Sequence, residues 1–228
     1  DEVCARHFDL QCAWMKRWFN VLPLDQAVAQ LKMGSLPERA ACISFDDGYA
    51  DNYQVAVPIL KRHGLSATFF IATGYLDGGC MWNDVLIEAI RGCALPVLDA
   101  GALGLGVHPV ASMADKRQAI VALIQQCKYR SEPDRSTLVR QLANLAEVTP
   151  PRNLMLTSTE LQAMRAAGMQ IGAHTVSHPI LRRLDDRQTR QEIGESKQFL
   201  ENLLGERVGL FAYPNGKPGE DYSAQTVE

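Results

Sequence analysis

The sequence has no apolar run approaching the roughly 20 residues that a membrane-spanning helix needs. It also has no basic excess, since 23 Lys and Arg stand against 26 Asp and Glu, a net charge of -3. The first absence excludes a transmembrane helix, and the second argues against nucleic acid or anionic lipid as a partner. Asp1, Glu2 and Val3 do not resemble a signal sequence. We therefore expect a cytoplasmic protein rather than one of the cell envelope, or a leader outside this sequence.

Cysteine and glycine patterns that mark common sites are missing as well. The cysteines show no CxxC spacing, which argues against a zinc ribbon or a disulfide framework, so we expect free thiols. The glycines in residues 100–106 follow no convincing strand, which argues against a nucleotide-binding loop and favours a flexible connector over residues 92–110. The six cysteines are Cys4, Cys12, Cys42, Cys80, Cys93 and Cys127.

What the sequence does contain is an alternation of strand and helix patterns. Residues 41–45 and 67–72 are apolar runs without charge, typical of strands buried on both faces, and Cys42 would act there as a small hydrophobic residue. The segment between these runs has helical spacing and is predicted to be capped by Asp51 and ended by Gly64. A strand, a helix and a strand in this order predict a parallel sheet.

The alternation is interrupted and then resumes. Residues 77–150 contain mostly helical patterns and predict an α-helical insertion. Residues 169–173 and 208–212 predict two more strands, and a helix is predicted over 187–204 with Phe199 on its inward face. A chain of 228 residues with 46% hydrophobic content is long enough for one α/β domain with a sizeable core.

Three polar motifs each follow directly on a predicted strand. Because the loops beyond the carboxyl ends of parallel strands converge on one crevice, we expect the three motifs to lie close together. Two histidines and an aspartate would supply three nitrogen and oxygen ligands that suit Zn²⁺ and leave a fourth position for water. The motifs are Asp46 with Asp47, His174 with His178, and the loop Tyr213-Pro214-Asn215-Gly216.

The two adjacent aspartates are expected to have different roles. One would bind the metal and the other would accept a proton from the water bound to it. Neighbouring side chains at the end of an extended strand point in different directions, so the roles separate naturally, but this geometry does not say which aspartate has which role.

Each motif alone has a simpler explanation. Asp-Gly after a strand is a common turn signal, and a single histidine is more often structural than a ligand. Pro179 disfavours a helical His178, which places the histidine pair on a turn after a strand and not on one face of a helix. The combination of His, His and Asp from different strand ends is what favours a metal site.

The motifs resemble those of the polysaccharide deacetylases, the family 4 carbohydrate esterases, over about residues 41–217. The form of the third motif is similar to that of the deacetylases of exopolysaccharide production. The motif residues are Ser44-Phe45-Asp46-Asp47-Gly48, His174-Thr175-Val176-Ser177-His178 and Phe211-Ala212-Tyr213-Pro214-Asn215-Gly216.

This resemblance implies a distorted (β/α) barrel that removes N-acetyl or O-acetyl groups from a polysaccharide or oligosaccharide. It implies that Asp46 is the general base and that a divalent metal, Zn²⁺ or else Co²⁺ or Ni²⁺, is bound by three ligands. Residues of the third motif would form one wall of the substrate groove, with a backbone N–H directed at the oxyanion. The implied ligands are Asp47, His174 and His178, and the implied substrate-binding residues are Tyr213, Pro214 and Asn215, the last of which offers the N–H.

The sequence also departs from the family. Later family motifs, which carry a histidine general acid, have no counterpart before Glu228, and about four or five predicted strands are too few to close a barrel. We therefore expect residues 1–228 to be a partial deacetylase domain, incomplete at the C-terminus, that binds metal but is weakly active or inactive.

Two other functions are open alternatives. One is hydrolysis of small non-peptide amides, and the other is a non-catalytic carbohydrate-binding module that retains the metal triad. Acetate release from oligosaccharides would distinguish them from a polysaccharide deacetylase. Tyr75 and Trp82, in loops after the second strand, are candidates for stacking on a sugar ring.

Overall fold

The structure is a computed structural model that describes residues 3–227, in two compact units. Asp1–Gly78 and Asn153–Glu228 form the first unit, and Gly79–Arg152 form the second. The prediction about a signal sequence concerns Asp1 and Glu2, which with Glu228 lie outside the described residues. None of the described helices is long and apolar enough to cross a bilayer.

Short strands alternate with helices over much of the described chain. The strands are β1 (Asn20–Val21), β2 (Ala40–Ala41), β3 (Ser44–Phe45), β4 (Thr68–Ile71), β5 (Val97–Ala100), β6 (Gly106–Pro109) and β7 (Gln170–Ala173). The helices are α1 (Ala5–Trp18), α2 (Leu24–Lys32), α3 (Val57–His63), α4 (Trp82–Gly92), α5 (Met113–Cys127), α6 (Glu132–Leu145), α7 (Ser158–Ala166), α8 (Asp186–Leu204) and α9 (Ala224–Val227).

The sheet of the first unit is built around β4. Its strands lie in the order β3, β4, β7 with parallel pairing, so that Phe69 pairs with Phe45 on one side and with Ile171 on the other. All four residues of β4 are buried, as the apolar run in the sequence predicts for a central strand. The rings of Phe45 and Phe69 stack with their centroids 4.8 Å apart and continue the core across the sheet. The predicted parallel sheet is confirmed.

The described residues form no closed barrel, in agreement with the predicted distorted and incomplete (β/α) barrel. β1 and β2 form a separate parallel pair. The strand predicted at 208–212 is reduced to one parallel bridge between Phe211 and Ala173. At the start of this segment the Val208 N–H donates to the Glu201 carboxylate at 3.0 Å.

The strand around β3 differs from the prediction in its burial. Cys42 and Ser44 are exposed, whereas Ile43 and Phe45 are half-buried, so one face is open and burial on both faces was wrong. β3 is also an edge strand of the three-stranded sheet. Cys42 is therefore not a core residue, although all six cysteines are free, as expected.

Helix ends were predicted with mixed success. Gly64 ends α3 in the left-handed conformation, as predicted, with φ of 64°. Asp51 does not act as a cap, because it is already helical and the chain enters α3 through a π-helical turn at Asn52–Ala56. Phe199 is exposed, so its predicted inward orientation was wrong, while the next residue, Leu200, is fully buried on α8.

The second unit contains a β-hairpin besides its helices. β5 pairs antiparallel with β6, which corrects the predicted flexible connector. The hairpin forms because Leu98 and Ala100 are buried against the helical core, and because Gly104 and Gly106, both with positive φ, allow the chain to reverse. The unit is thus not purely helical. Its place as an insertion within one deacetylase domain stays a prediction.

Gly172 in β7 is packed so closely that a side chain would not fit. A Cβ there would lie 2.5 Å from Phe70 Cδ1 and 3.1 Å from the Leu210 carbonyl oxygen. Gly172→Ala is expected to lower the free energy of unfolding by about 1–3 kcal/mol, the usual effect of overpacking. In Gly194→Ala, the matched control on α8, nothing lies within 4 Å of the new Cβ. That change is expected to stabilise by about 0.5–1 kcal/mol. Urea unfolding measures both, and equal stabilities would contradict the prediction.

Candidate metal centre

The carboxyl ends of β3, β4 and β7 lie side by side, and backbone pairing continues beyond the strands. The Ala72 N–H donates to the Asp47 carbonyl at 3.2 Å, and the His174 N–H donates to the Ile71 carbonyl at 3.0 Å. The Ala212 N–H in turn donates to the carbonyl of Ala173, the last residue of β7, at 3.0 Å. This ladder holds Asp47, His174 and the residue before the Tyr213-Pro214-Asn215-Gly216 loop at one edge of the sheet.

The structure brings together the side chains of Asp47, His174 and His178. Asp47 Oδ1 lies 3.5 Å from His174 Nε2 and 3.3 Å from His178 Nε2. The His174 side chain is 2% exposed, while those of Asp47 and His178 are 24% and 22% exposed. The cluster is therefore closed on the His174 side and accessible on the other.

These three residues fit a divalent cation. Asp47 Oδ1 is buried and accepts no hydrogen bond of good geometry from the described residues, an arrangement that is costly unless another group satisfies the oxygen. Two ligands bound about 2.0–2.1 Å from Zn²⁺ at a tetrahedral angle would lie about 3.3–3.4 Å apart. The observed separations between Oδ1 and the two Nε2 atoms, 3.3 and 3.5 Å, match this spacing.

The electrostatics of the cluster keep Asp47 ionised. Burial alone would raise the pKa of its carboxyl, but contact with His174 and the charges of His178 and His174 outweigh burial and lower that pKa. An ionised carboxylate is the form that binds a cation.

The orientation of His174 is fixed by a backbone group. Its Nδ1 lies 2.8 Å from the Ala212 carbonyl oxygen, which can only accept a hydrogen bond, so Nδ1 carries the proton. In the neutral imidazole, the form that binds a metal, the lone pair is then on Nε2, which faces Asp47, in the arrangement common among metal-binding histidines. Sequence analysis missed this role of Ala212, because a backbone carbonyl has no signature in residue type.

Three residues of the cluster region adopt the left-handed backbone conformation. The φ angles are 74° for Asp47, 69° for Thr175 and 53° for His178. Non-glycine residues adopt this conformation at a cost and retain it where the surrounding structure requires it, often at functional sites. Three of the seven described non-glycine residues with positive φ thus lie in the two segments that carry the candidate ligands.

Asp46 is more exposed than its neighbour Asp47. The residue is exposed and lines a cavity of about 320 Å³ with Phe8, Tyr49 and Asn52, among others. Desolvation raises the pKa of its carboxyl, the charge of His174 opposes that rise, and the charge of Asp47 adds to it. A carboxylate with a raised pKa is a stronger proton acceptor than an ordinary surface aspartate.

The third motif is partly packed within the protein. The Tyr213 ring stacks on Tyr222 with centroids 4.2 Å apart, and burial raises the pKa of its hydroxyl. Pro214 is buried, whereas Asn215 is exposed and left-handed, with φ of 62°. The roles of Tyr213, Pro214 and Asn215 in substrate binding stay predictions.

The two aromatic candidates for sugar stacking have other contacts. The Tyr75 hydroxyl donates to the Ser177 carbonyl at 2.9 Å, so it supports the turn that carries the histidines. Trp82 begins α4 in the second unit, where its ring packs against the Arg135 guanidinium at 4.7 Å. Stacking of either ring on a sugar stays a prediction.

Known proteins share both the sequence pattern and the fold. YxkH of Bacillus subtilis (strain 168) is 21% identical over 221 residues, which cover 96% of this chain and 53% of that protein. Poly-beta-1,6-N-acetyl-D-glucosamine N-deacetylase of Staphylococcus aureus (strain MSSA476) is 36% identical over 75 residues, which cover 32% of this chain and 26% of that enzyme. The chain thus spans about half or less of the length of these curated relatives.

A solved structure and a family model complete the comparison. The Streptococcus pyogenes deacetylase PplD, in complex with acetate, superposes with a TM-score of 0.60 at 21% identity, over 98% of this chain and 66% of that one, and shows the same fold. The family model described as polysaccharide deacetylase matches residues 33–228. Because this match covers most of the sequence, the chain belongs to the polysaccharide deacetylase family.

Proposed function

We propose that this chain removes acetyl groups from an N-acetylated polysaccharide by hydrolysis. Asp46 is the general base, and three side chains hold a divalent metal, for which Zn²⁺ is the first candidate. The ligands are Asp47, His174 and His178. The observation that carries the proposal is the convergence of Asp47 Oδ1 with two histidine Nε2 atoms at 3.5 and 3.3 Å, next to Asp46 and from distant parts of the chain.

Each residue has a defined task in this proposal. The metal, when bound, would supply Lewis-acid charge that acidifies water and polarises the acetyl carbonyl. Asp46 accepts a proton from the attacking water. The exposed Asn215 offers its backbone N–H to the oxyanion. The amide C–N bond then breaks, acetate is released, and the amine nitrogen takes up a proton.

The rate of turnover by residues 1–228 depends on which group donates the proton to the amine nitrogen. The proposal assigns His174 and His178 to the metal, and His63 is paired with Asp9 at 2.8 Å at the end of α3, before β4 and thus away from the carboxyl edge. We expect slow turnover, because no other histidine of the first unit is placed at the site by an observed contact. Robust turnover would contradict this expectation.

His7 is the residue that would explain robust turnover. It lies on α1, whose Ala5 and Phe8 line the same cavity as Asp46. If turnover is robust, His7→Ala tests whether its imidazole is the general acid. A large loss of activity in that variant would identify it.

The proposed substrate is a polymer of N-acetylglucosamine of the exopolysaccharide type. The support is the similarity to the Staphylococcus aureus enzyme, whose name states that it deacetylates poly-beta-1,6-N-acetyl-D-glucosamine.

Metal removal tests the proposed function. Protein treated with a chelator is expected to release no acetate from N-acetylglucosamine oligomers, because the water and the carbonyl would then lack Lewis-acid activation. Addition of Zn²⁺, Co²⁺ or Ni²⁺ is expected to restore release, measured over long incubations at high protein concentration. A small linear amide is the comparison substrate.

The outcomes separate the alternatives. Cleavage of the small amide alone would indicate a small-amide hydrolase. Glycan binding without acetate release under any metal would indicate a non-catalytic module. Acetate release that does not respond to chelation would contradict the proposed metal.

A further inference from the structure

The segment between the two candidate ligand histidines belongs to no helix or strand, yet its carbonyl groups are held from one side by the chain that follows β4. Three successive donors of that chain reach three successive carbonyls. A Cβ added at Gly74 would lie 2.8 Å from the Val176 oxygen, so the two segments are in close contact. The hydrogen bonds run from Thr73 N–H to Thr175 O at 3.1 Å, from Gly74 N–H to Val176 O at 2.9 Å, and from Tyr75 O–H to Ser177 O at 2.9 Å.

The N–H groups of the same segment are held from another side by one carboxylate of α8. Glu192 Oε2 accepts the N–H groups of Val176 at 2.8 Å and of Ser177 at 2.9 Å, and Oε1 accepts the Ser177 hydroxyl at 2.6 Å. Hydrogen bonds to an ionised acceptor are about twice as strong as those between neutral groups. One side chain thus fixes two consecutive residues of the turn.

The conformation fixed in this way sets the position of both histidines. Thr175 and His178 are in the left-handed conformation, which the turn would leave if its contacts were removed. The His178 N–H donates to Thr175 Oγ1 at 3.1 Å, so the position of His178 depends directly on the turn. His174, at the other end, is anchored to β4 through its own N–H.

We infer that Glu192 is a positioning residue of the metal centre. By holding the turn from Val176 to Ser177, it sets the distance between His174 Nε2 and His178 Nε2 and touches neither metal nor substrate. The inference rests on the proposed function, because it takes the two histidines as metal ligands. Nothing in the motif pattern marks Glu192, which lies well beyond the second motif.

The variant Glu192→Gln tests this role. Glutamine has nearly the same size, but it is neutral and has only one accepting oxygen, so the two N–H groups lose a charged acceptor and the Ser177 hydroxyl, facing the amide nitrogen, can no longer donate. Zn²⁺ affinity, measured by competition with a chromophoric chelator, is expected to fall about 10- to 100-fold, as for other residues that orient ligands. With bound Co²⁺, the visible absorption bands are expected to shift, because they report ligand geometry. At saturating metal, the KM for the oligosaccharide is expected to be unchanged.

The control is Glu195→Gln on the same helix, which makes the same change of charge. Glu195 is exposed and contacts Gln191 at 2.8 Å, not the turn, so wild-type metal affinity is expected. Equal affinity in both glutamine variants would overturn the inference. If Glu192→Gln does not fold, Ser177→Ala is the deciding variant, since it removes only the hydrogen bond of 2.6 Å from the Ser177 hydroxyl to Glu192. It is expected to weaken metal binding, and unchanged affinity in Ser177→Ala would also overturn the inference.

Asp47→Asn in the same assay separates this inference from the proposed function. Metal binding that survives Asp47→Asn would refute the metal site itself. Loss of binding in Asp47→Asn together with wild-type affinity in Glu192→Gln would refute only the role of Glu192.

Discussion

Asp46→Asn is expected to lower acetate release about 10²- to 10⁴-fold at saturating metal, the range typical for loss of a general base. Metal affinity is expected to remain at the wild-type value. The physical reason is that Asp46 is exposed and directly precedes the candidate ligand Asp47, so its carboxylate can accept a proton from water at the metal. An asparagine of the same size keeps the local contacts and removes only the proton acceptor.

The matched control for this variant is Asp51→Asn. Asp51 borders the same cavity and carries the same charge, but the proposal gives it no part in proton transfer. Its replacement is expected to leave acetate release unchanged. Measurements of both acetate release and metal affinity are needed, because loss of metal in Asp46→Asn would mean that the two aspartates have exchanged roles. Retained activity would refute Asp46 as the base.

The part of this site that was predictable from sequence follows from short-range rules. Parallel strands must present their carboxyl ends at one edge, so the positions of Asp47 and His174 after β3 and β7 indicated that they would meet. The alternation of side chains in an extended chain predicted that Asp46 and Asp47 would differ in direction, but β3 ends at Phe45 and Asp47 is left-handed with φ of 74°, so this rule does not extend to Asp47. In the structure Asp46 is exposed and Asp47 is half-buried.

The parts that were missed depend on contacts between residues far apart in sequence. The Ala212 carbonyl orients His174, and Glu192 holds the turn before His178, but a backbone oxygen and a helical glutamate look alike in any sequence. The hairpin of β5 and β6 was missed because its strands are only four residues long and its glycines suggest a flexible loop. The exposure of Cys42 and Ser44 depends on which elements pack against that face of the chain, and a local sequence pattern does not contain this information.

Loss of metal binding is the expected result of replacing Asp47. Ligand replacement should lower the affinity more than about 100-fold, since replacing residues that merely orient ligands already lowers it about 10- to 100-fold. Alanine alone is an imperfect test, because residue 47 has φ of 74° and alanine disfavours this conformation. Asp47→Asn is the better variant, since asparagine tolerates the left-handed conformation while it removes the charge that would bind the cation.

Thermal unfolding gives a measurement of this loss that does not need activity. A metal present at about 100 times its Kd stabilises the folded protein by about 2.7 kcal/mol, which corresponds to a rise in Tm of about 5–11 °C for a chain of this size. Wild-type protein is expected to show this rise with Zn²⁺, and Asp46→Asn is expected to show it too. Asp47→Asn is expected to show none. A rise in Asp47→Asn equal to that of the wild type would mean that the buried Oδ1 between the two histidines binds no cation, and the assignment of the metal centre would then be wrong.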